Sequence, residues 1–133
     1  MSYDLMVFEI SKAPKTKEEF LAWYEKQTQW SEDHSYNDPK IASPALKDWY
    51  EKMKETFMPM NESDSAEENL DDDEESYLTD YSIGSSVIYA AFSWSKAEEA
   101  YALTTELAQK CGVGFFDVSG DGDIVLPDGS EID

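Results

Sequence analysis

The sequence predicts an α+β fold in which helices pack against an antiparallel sheet. Three segments carry apolar residues at helical spacing, and five short runs are rich in the β-branched and aromatic residues that favour strands. Of the 133 residues, 41% are hydrophobic and 14% are aromatic, which is enough to build a hydrophobic core. At this length we expect a single domain spanning residues 1–133.

The first two predicted elements are a central strand and a helix. Residues 5–10 form a near-continuous apolar run, as expected of a strand that is covered on both faces. Thr16 and Glu19 then have the spacing of a capping box, and aromatic residues follow at helical intervals. The pattern predicts a helix over residues 17–29.

A loop over residues 30–42 separates this helix from a second one. Ser43 is suited to cap that helix, Pro44 suits its first turn, and Pro59 ends the pattern. Apolar residues, including Leu46, Trp49 and Met53, recur at helical spacing on the predicted buried face. The second helix is therefore predicted over residues 44–57.

Negative charge is concentrated in the second part of the chain. Residues 55–133 carry 20 acidic side chains and two lysines, so they account for −18 of the formal net charge of −20. Ten of these acids lie between Glu62 and Asp80. Because such a block repels itself and buries little apolar surface, we predict a flexible acidic loop over residues 61–76.

The remaining predicted elements are a β-hairpin, a third helix and a C-terminal hairpin. The β-hairpin turns at Gly84. Ser95 and Glu98 have the spacing of a second capping box at the start of the third helix, and Gly112 ends that helix. The apolar face of the helix includes Tyr101. The predicted segments are residues 77–83, 86–93, 96–111, 113–118 and 123–126.

The element order is β, α, α, β, β, α, β, β. Without one helix and the last strand it becomes the split βαβ order of a ferredoxin-like sheet, with helices on one face. We therefore predict a ferredoxin-like sheet with one extra helix and a C-terminal hairpin. The alternative is an α+β sandwich with a different strand order.

Composition argues against several classes of protein. One Cys and one His cannot form a disulfide or assemble a zinc or iron–sulfur site, and no cofactor is predicted. Ten lysines in a strongly acidic chain argue against binding to nucleic acid or to an anionic membrane. The first ten residues lack the basic start of a signal peptide, and no apolar run is long enough to span a bilayer. We expect a soluble, cytoplasmic protein.

Residues 117–128 match the calcium loop of an EF-hand in part. Oxygen ligands stand at its first, third, fifth and twelfth positions, and glycine stands at the sixth. An EF-hand also needs a helix on each side, whereas strands are predicted here and Pro127 precedes the twelfth position. A hairpin turn explains the same residues and is preferred. The ligands of the alternative calcium site would be Asp117, Ser119, Asp121, Asp123 and Asp128.

The only histidine lies between carboxylates and aromatic residues in the first predicted loop. Neighbouring carboxylates would raise the pKa of His34 toward neutrality, as acid–base catalysis requires. The sequence contains no nucleophile elbow, phosphate-binding glycine loop or HExxH motif, so no catalytic residue is assigned. Exposed aromatic residues beside charges are typical of interfaces. The predicted interaction residues are Trp30, Glu32, Asp33, His34 and Tyr36.

Several segments together resemble a family of small acidic bacterial proteins that have no assigned activity. They are Trp23–Glu32, Ser43–Asn61, Thr79–Gly84 with Val87–Trp94, and Gly114–Gly120. The resemblance covers most of the chain outside the acidic loop. It implies a bacterial, cytoplasmic, single-domain protein, and no functional residue is carried over from it.

The sequence therefore favours a noncatalytic protein-interaction module. A one-sided acidic charge attracts cationic partners, and an acidic inhibitor of a basic bacterial protein, of the immunity type, fits the pattern. The alternatives are an enzyme with a site around His34 and a calcium-binding domain that uses residues 117–128. A further alternative is a charge that serves only to keep the domain soluble.

Overall fold

The computed structural model describes residues 3–27, 41–57, 77–120 and 122–132. Within these residues the fold is α+β, with a five-stranded antiparallel sheet and three α-helices. The strands are β1 (Tyr3–Phe8), β2 (Asp80–Ile83), β3 (Val87–Phe92), β4 (Gly114–Phe116) and β5 (Ile124–Val125). The helices are α1 (Lys17–Gln27), α2 (Pro44–Met53) and α3 (Ala97–Cys111), and a 3-10 turn (Trp94–Lys96) precedes α3.

The first strand lies in the middle of the sheet, as predicted. The strand order is β2-β3-β1-β4-β5, and β1 pairs with both β3 and β4. Its end was wrongly predicted, because the strand stops at Phe8 and not at Ile10. The backbone N–H of Glu9 donates to the carbonyl of Ser86 at 2.8 Å, and the chain then turns. Ile10 consequently lies outside the sheet and is 42% exposed.

The sheet separates two apolar clusters. Leu5 and Val7 of β1 pack in one cluster with residues of α2 and α3. Met6 and Phe8 point to the opposite face, because side chains alternate along a strand, and they pack with Phe20 of α1. The sheet therefore has helices on both faces, α2 and α3 on one and α1 on the other, and no face was predicted for the extra helix. Burial of both faces of β1 explains its near-continuous apolar sequence.

Ser43 caps α2 as predicted and also connects the helix to the sheet. Its hydroxyl accepts a hydrogen bond from the backbone N–H of Leu46 at 3.3 Å and donates one to the Glu9 carboxylate at 2.8 Å. The helix ends at Met53, earlier than predicted, and a turn leads on to Phe57, whose side chain remains buried. The predicted core positions of α2 are confirmed as buried: Leu46, Trp49 and Met53. Phe92 of β3 and Leu107 of α3 are buried as well.

The capping box predicted for α3 was wrong, and the predicted end of the helix is confirmed. Ser95 lies inside the 3-10 turn, and Lys96 precedes the helix without a side-chain capping bond. At the other end, Gly112 adopts the left-handed conformation with φ +77°, and its N–H donates to the carbonyl of Ala108. Glycine suits this position because the left-handed conformation carries no steric penalty for it.

The predicted acidic loop, residues 61–76, lies outside the described residues. The described residues on either side of it, Phe57 and Tyr77, have ring centroids 5.3 Å apart. The residues that flank this segment are therefore close together on the core, and a much shorter connection could join them.

We predict that deletion of residues 62–75 leaves the fold intact. Five residues would remain to connect Phe57 with Tyr77, whose rings are in contact. The deletion shortens a loop and removes nine carboxylates that repel one another, so the midpoint of thermal unfolding should stay the same or rise. A control variant that keeps the length but replaces the carboxylates with serine separates the effect of charge from that of length. A large fall in the midpoint would show that the segment packs on the domain.

Candidate functional site

The interaction residues predicted from the sequence lie outside the described residues. Trp30, Glu32, Asp33, His34 and Tyr36 all belong to the segment 28–40, which separates the described parts of α1 and α2. Their role stays a prediction, as does the alternative of an enzyme site around His34. The site that can be built from geometry is at another place in the fold.

The partial calcium motif forms a hairpin, as preferred from the sequence. Strands β4 and β5 are antiparallel, and the Asp117 N–H donates to the carbonyl of Asp123 at 3.0 Å across the turn. The Asp117 carboxylate accepts a hydrogen bond from the N–H of Gly120 at 3.1 Å. A Cβ at position 120 would lie 2.1 Å from that carboxylate, so glycine is needed there for the close approach. Asp121 is outside the described residues.

The other oxygen ligands of the motif take part in separate contacts. Ser119 bonds to the start of β1: its hydroxyl accepts from the N–H of Asp4 at 2.7 Å, and its own N–H donates to the Asp4 carbonyl at 3.0 Å. Asp128 closes a second turn by accepting two hydrogen bonds from Ser130, and these bonds lower the pKa of its carboxyl group. Among the residues that the structure describes, no group of three His, Cys, Asp or Glu is placed to hold a metal ion.

Calcium and magnesium are expected to change the melting temperature of this protein equally. Both ions screen a chain of net charge −20, whereas a specific site would stabilise the native state only with calcium. The measurement is thermal unfolding in millimolar chloride of each ion at matched ionic strength. A calcium-specific increase that disappears in Asp121→Ala would contradict the hairpin interpretation and support a calcium-binding domain.

An aromatic pair forms where β1 begins and β3 ends. The sheet register places Tyr3 opposite Phe92, so the 3-10 turn that follows β3 brings Trp94 beside Tyr3. The two ring centroids are 5.0 Å apart with an interplanar angle of 56°. Tyr3 is 9% exposed and Trp94 is 49% exposed, so the pair presents mainly the indole ring to solvent.

Tyr101 extends this aromatic surface along α3. Its ring stands perpendicular to the ring of Phe115 at a centroid distance of 5.5 Å, and 42% of the residue is exposed. A small open cavity lies between Tyr101 and Tyr3, with Ala97 and Glu98 as its other lining residues. Its volume is about 280 Å³. Large aromatic side chains thus remain accessible at one end of the sheet.

Carboxylates surround these rings. Burial raises the pKa of the Tyr101 hydroxyl, and the negative charges of Asp117, Asp123 and Glu131 raise it further. Burial also raises the pKa of Tyr3 to about 12, with a second contribution from Asp117. Both phenols are therefore neutral at physiological pH. We call this surface the aromatic–acidic surface; its exposed members are Trp94, Glu98, Tyr101, Asp123 and Glu131, and its buried members are Tyr3 and Asp117.

Sequence reasoning missed the two exposed rings of this surface. Tyr101 was assigned to the apolar face of α3, whereas the structure leaves it partly exposed, and the buried residues of the helix are Ala100, Thr104, Leu107 and Ala108. Trp94 carried a usable signal, since serine stands on each side of it directly after a strand. The same kind of polar flanking led to the prediction for Trp30.

A larger cleft, of about 860 Å³, lies between the turn after β1 and the C-terminal segment. Its lining is mainly apolar and includes Ile10, Leu126 and Ile132. Its charged lining residues are Lys15, Asp128 and Glu131, so both signs of charge are present and no preference for a ligand of either charge is indicated. Carboxylates predominate on the aromatic–acidic surface, although Lys96 lines a small cavity together with Trp94 and Glu98.

On the opposite face of the sheet, Asp4 and two tyrosines form a polar cluster. The Tyr89 hydroxyl donates a hydrogen bond to the carboxylate of Asp4 and interacts with the hydroxyl of Tyr24. Burial, followed by the bond to Asp4, raises the pKa of Tyr89 far above neutrality. Tyr89 therefore remains protonated at physiological pH and is unsuited to act as a general base there.

Comparisons of the chain with protein-family models, curated proteins and solved structures found no match. Among the described residues, no helix has both the length and the apolar character required to cross a membrane.

Proposed function

We propose that the protein is a noncatalytic interaction module that binds a basic protein partner through the aromatic–acidic surface. The main support for the proposal is the exposure and position of Trp94. This residue is 49% exposed and packs on Tyr3. It lies at the same end of the sheet as several carboxylates. Tryptophan and tyrosine are enriched among the residues that dominate binding energy at protein interfaces. The carboxylates select for positive charge on the partner.

Long-range electrostatics support the same partner. Residues 55–133 carry −18 of the net charge of −20, and this segment contains Trp94, Tyr101 and the carboxylates around them. Such a field accelerates encounter with a cationic protein, while the aromatic contacts supply affinity once water is excluded. An inhibitor of a basic bacterial protein, of the immunity type, is the form of this proposal that we favour.

The aromatic pair distinguishes this proposal from a charge that only maintains solubility. Solubility requires charged side chains and is reduced by exposed large apolar groups. A half-exposed indole ring held by a tyrosine contributes nothing to solubility and suits a contact with a partner.

We also propose that β1 to β4, with α2 and α3, form a ferredoxin-like unit. The order β2-β3-β1-β4 and the position of both helices on one face support this assignment. Strand β5 and helix α1 would then be additions to that unit, at the sheet edge and on the opposite face. The addition of β5 matters for function, because the turn that precedes it carries Asp117 and Asp123.

The test is capture of partners from an extract of the source organism, followed by reconstitution of the complex from purified proteins. We expect a basic partner whose affinity falls with added salt. Trp94→Ala should weaken binding by about 30-fold, as expected for loss of a central aromatic contact. Leu21→Ala is the matched control, because Leu21 is also large, apolar and exposed, at 39%, but lies on α1.

Binding that is unchanged by Trp94→Ala, or a partner whose affinity does not depend on salt, would contradict the proposal. The same holds if Leu21→Ala weakens binding as much as Trp94→Ala, since α1 would then contribute to the interface. Failure to capture any basic protein would favour the alternative in which the charge serves solubility alone.

A further inference from the structure

We infer that the cavity between Tyr3 and Tyr101 is a pocket for one arginine side chain of the basic partner. The inference rests on the proposed function and deepens it, because it names the chemical group that the aromatic–acidic surface recognises. The size of the cavity, the rings that line it and the charges around it support the inference.

The size of the cavity suits a single side chain. Its volume is about 280 Å³, and it is lined by Tyr3, Ala97, Glu98 and Tyr101. Pockets for drug-sized ligands usually have volumes of roughly 300–1,000 Å³, so this cavity is slightly smaller than that range. It is shallow and widely open to solvent, so a group on a partner's surface can enter it.

Two of the lining residues are aromatic and two of the neighbouring groups are acidic. A cation over the face of an aromatic ring is attracted by the ring's electron density, and desolvation strengthens this attraction. Glu98 lines the cavity itself, and Asp117 is close enough to Tyr3 and Tyr101 to influence both hydroxyls. A cation in the cavity would therefore contact rings and be attracted by carboxylates at the same time.

Arginine fits this combination better than lysine. Its guanidinium group is planar, stacks on aromatic faces, is weakly hydrated and presents several N–H donors that match a carboxylate. The lysine ammonium is compact and strongly hydrated, so transfer into a ring-lined cavity is less favourable. Lys96, at the start of α3, does not supply the cation, because its ammonium lies 4.5 Å from the ring centroid of Tyr77.

The test uses the full chain and a blocked Gly-Arg-Gly tripeptide as the probe. Tripeptides with citrulline or lysine in place of arginine are the comparison probes, since citrulline keeps the shape of arginine without its charge. Binding is followed by NMR shifts of the tyrosine rings and by tryptophan fluorescence. We expect saturable binding of the arginine peptide, and affinity at least about tenfold lower for the citrulline peptide, as for loss of a charged hydrogen-bonding group.

Variants then localise the probe on the surface. Tyr101→Leu should abolish binding, Tyr101→Phe should keep most of it, and Glu98→Gln should weaken it several-fold. Glu106→Gln is the control, because Glu106 is an exposed carboxylate on the same helix whose partner is Lys110 at 3.2 Å. Both Tyr101 and Glu98 are exposed, so these variants should fold, which circular dichroism checks.

Equal affinity for the arginine and citrulline peptides, or tighter binding of the lysine peptide, would overturn the inference. The inference would also be overturned if binding persisted in Tyr101→Leu, or if Glu106→Gln weakened binding as much as Glu98→Gln. The proposed function fails separately: the arginine peptide would then bind as expected, yet no basic protein would depend on Trp94. Conversely, a basic partner whose affinity depends on Trp94 but is unchanged by Tyr101→Leu would support the proposed function and contradict the arginine pocket.

Discussion

Trp49→Ala is expected to lower the free energy of unfolding by about 3–5 kcal/mol, the usual cost of removing a large buried aromatic side chain. Trp49, on α2, is completely buried, and its indole N–H donates to the carbonyl of Thr104 on α3 at 3.3 Å. Its ring also meets Tyr81 edge-on at 6.2 Å. Since small domains are stable by only about 5–15 kcal/mol, the variant should be close to unfolding at 37 °C. Urea denaturation at 25 °C measures the change.

Two other tryptophan substitutions make this result interpretable. Trp94→Ala removes the same side chain from an exposed position and should cost no more than about 1 kcal/mol. Trp49→Phe keeps an aromatic ring but loses the hydrogen bond to Thr104, so its cost should be intermediate. A cost below about 1 kcal/mol for Trp49→Ala would show that the packing of α2 on α3 described here is wrong.

Gly114→Ala is expected to have the second largest effect, a loss of about 1–3 kcal/mol or more from overpacking. Gly114 lies opposite Phe8 in the pairing of β4 with β1, and a Cβ at position 114 would lie 2.2 Å from Cζ of the Phe8 ring. The ring has little freedom to move, because Phe8 is completely buried and meets Phe20 edge-on at 4.8 Å. Chemical denaturation is again the measurement.

A double-variant cycle identifies the cause of this loss. In a Phe8→Leu background the side chain opposite position 114 is smaller, so Gly114→Ala should cost less than in the natural sequence. Gly112→Ala is the matched glycine control, because a Cβ there meets no atom within 4 Å and only the positive φ is unfavourable. Equal costs of Gly114→Ala in both backgrounds would contradict the steric explanation.

Local patterns predicted the elements whose signals lie within a few residues of one another. The apolar run at residues 5–10 correctly indicated a central strand, and Ser43 correctly marked the start of α2. Element ends were less predictable. Ile10 continues the apolar run but leaves the sheet, because the chain turns after Glu9, where the backbone N–H of Lys12 donates to the carbonyl of Glu9 at 3.0 Å. Ser95 has capping spacing, but the chain forms a 3-10 turn at that point.

The candidate site was also predictable only where its signals lie within a few residues of one another. The Gly-rich turn after Asp117 was predicted as a hairpin from its residues alone, since turn chemistry is local. The interaction site predicted at residues 30–36 lies outside the described residues and stays a prediction. Trp94 and Tyr101 were missed as a site, because they become neighbours of Tyr3 only through the pairing of β1 with β3 and the packing of α3.

By itself, the sequence determined the α+β class, the central position of β1 and the concentration of acidic charge after residue 54. These properties follow from composition and from periodicity within single segments. The tertiary structure decided that α1 covers the face of the sheet opposite α2 and α3. It also decided which aromatic rings stay exposed beside carboxylates. An amphipathic pattern specifies that a helix buries one side, but the surface that receives that side depends on contacts between residues far apart in the chain.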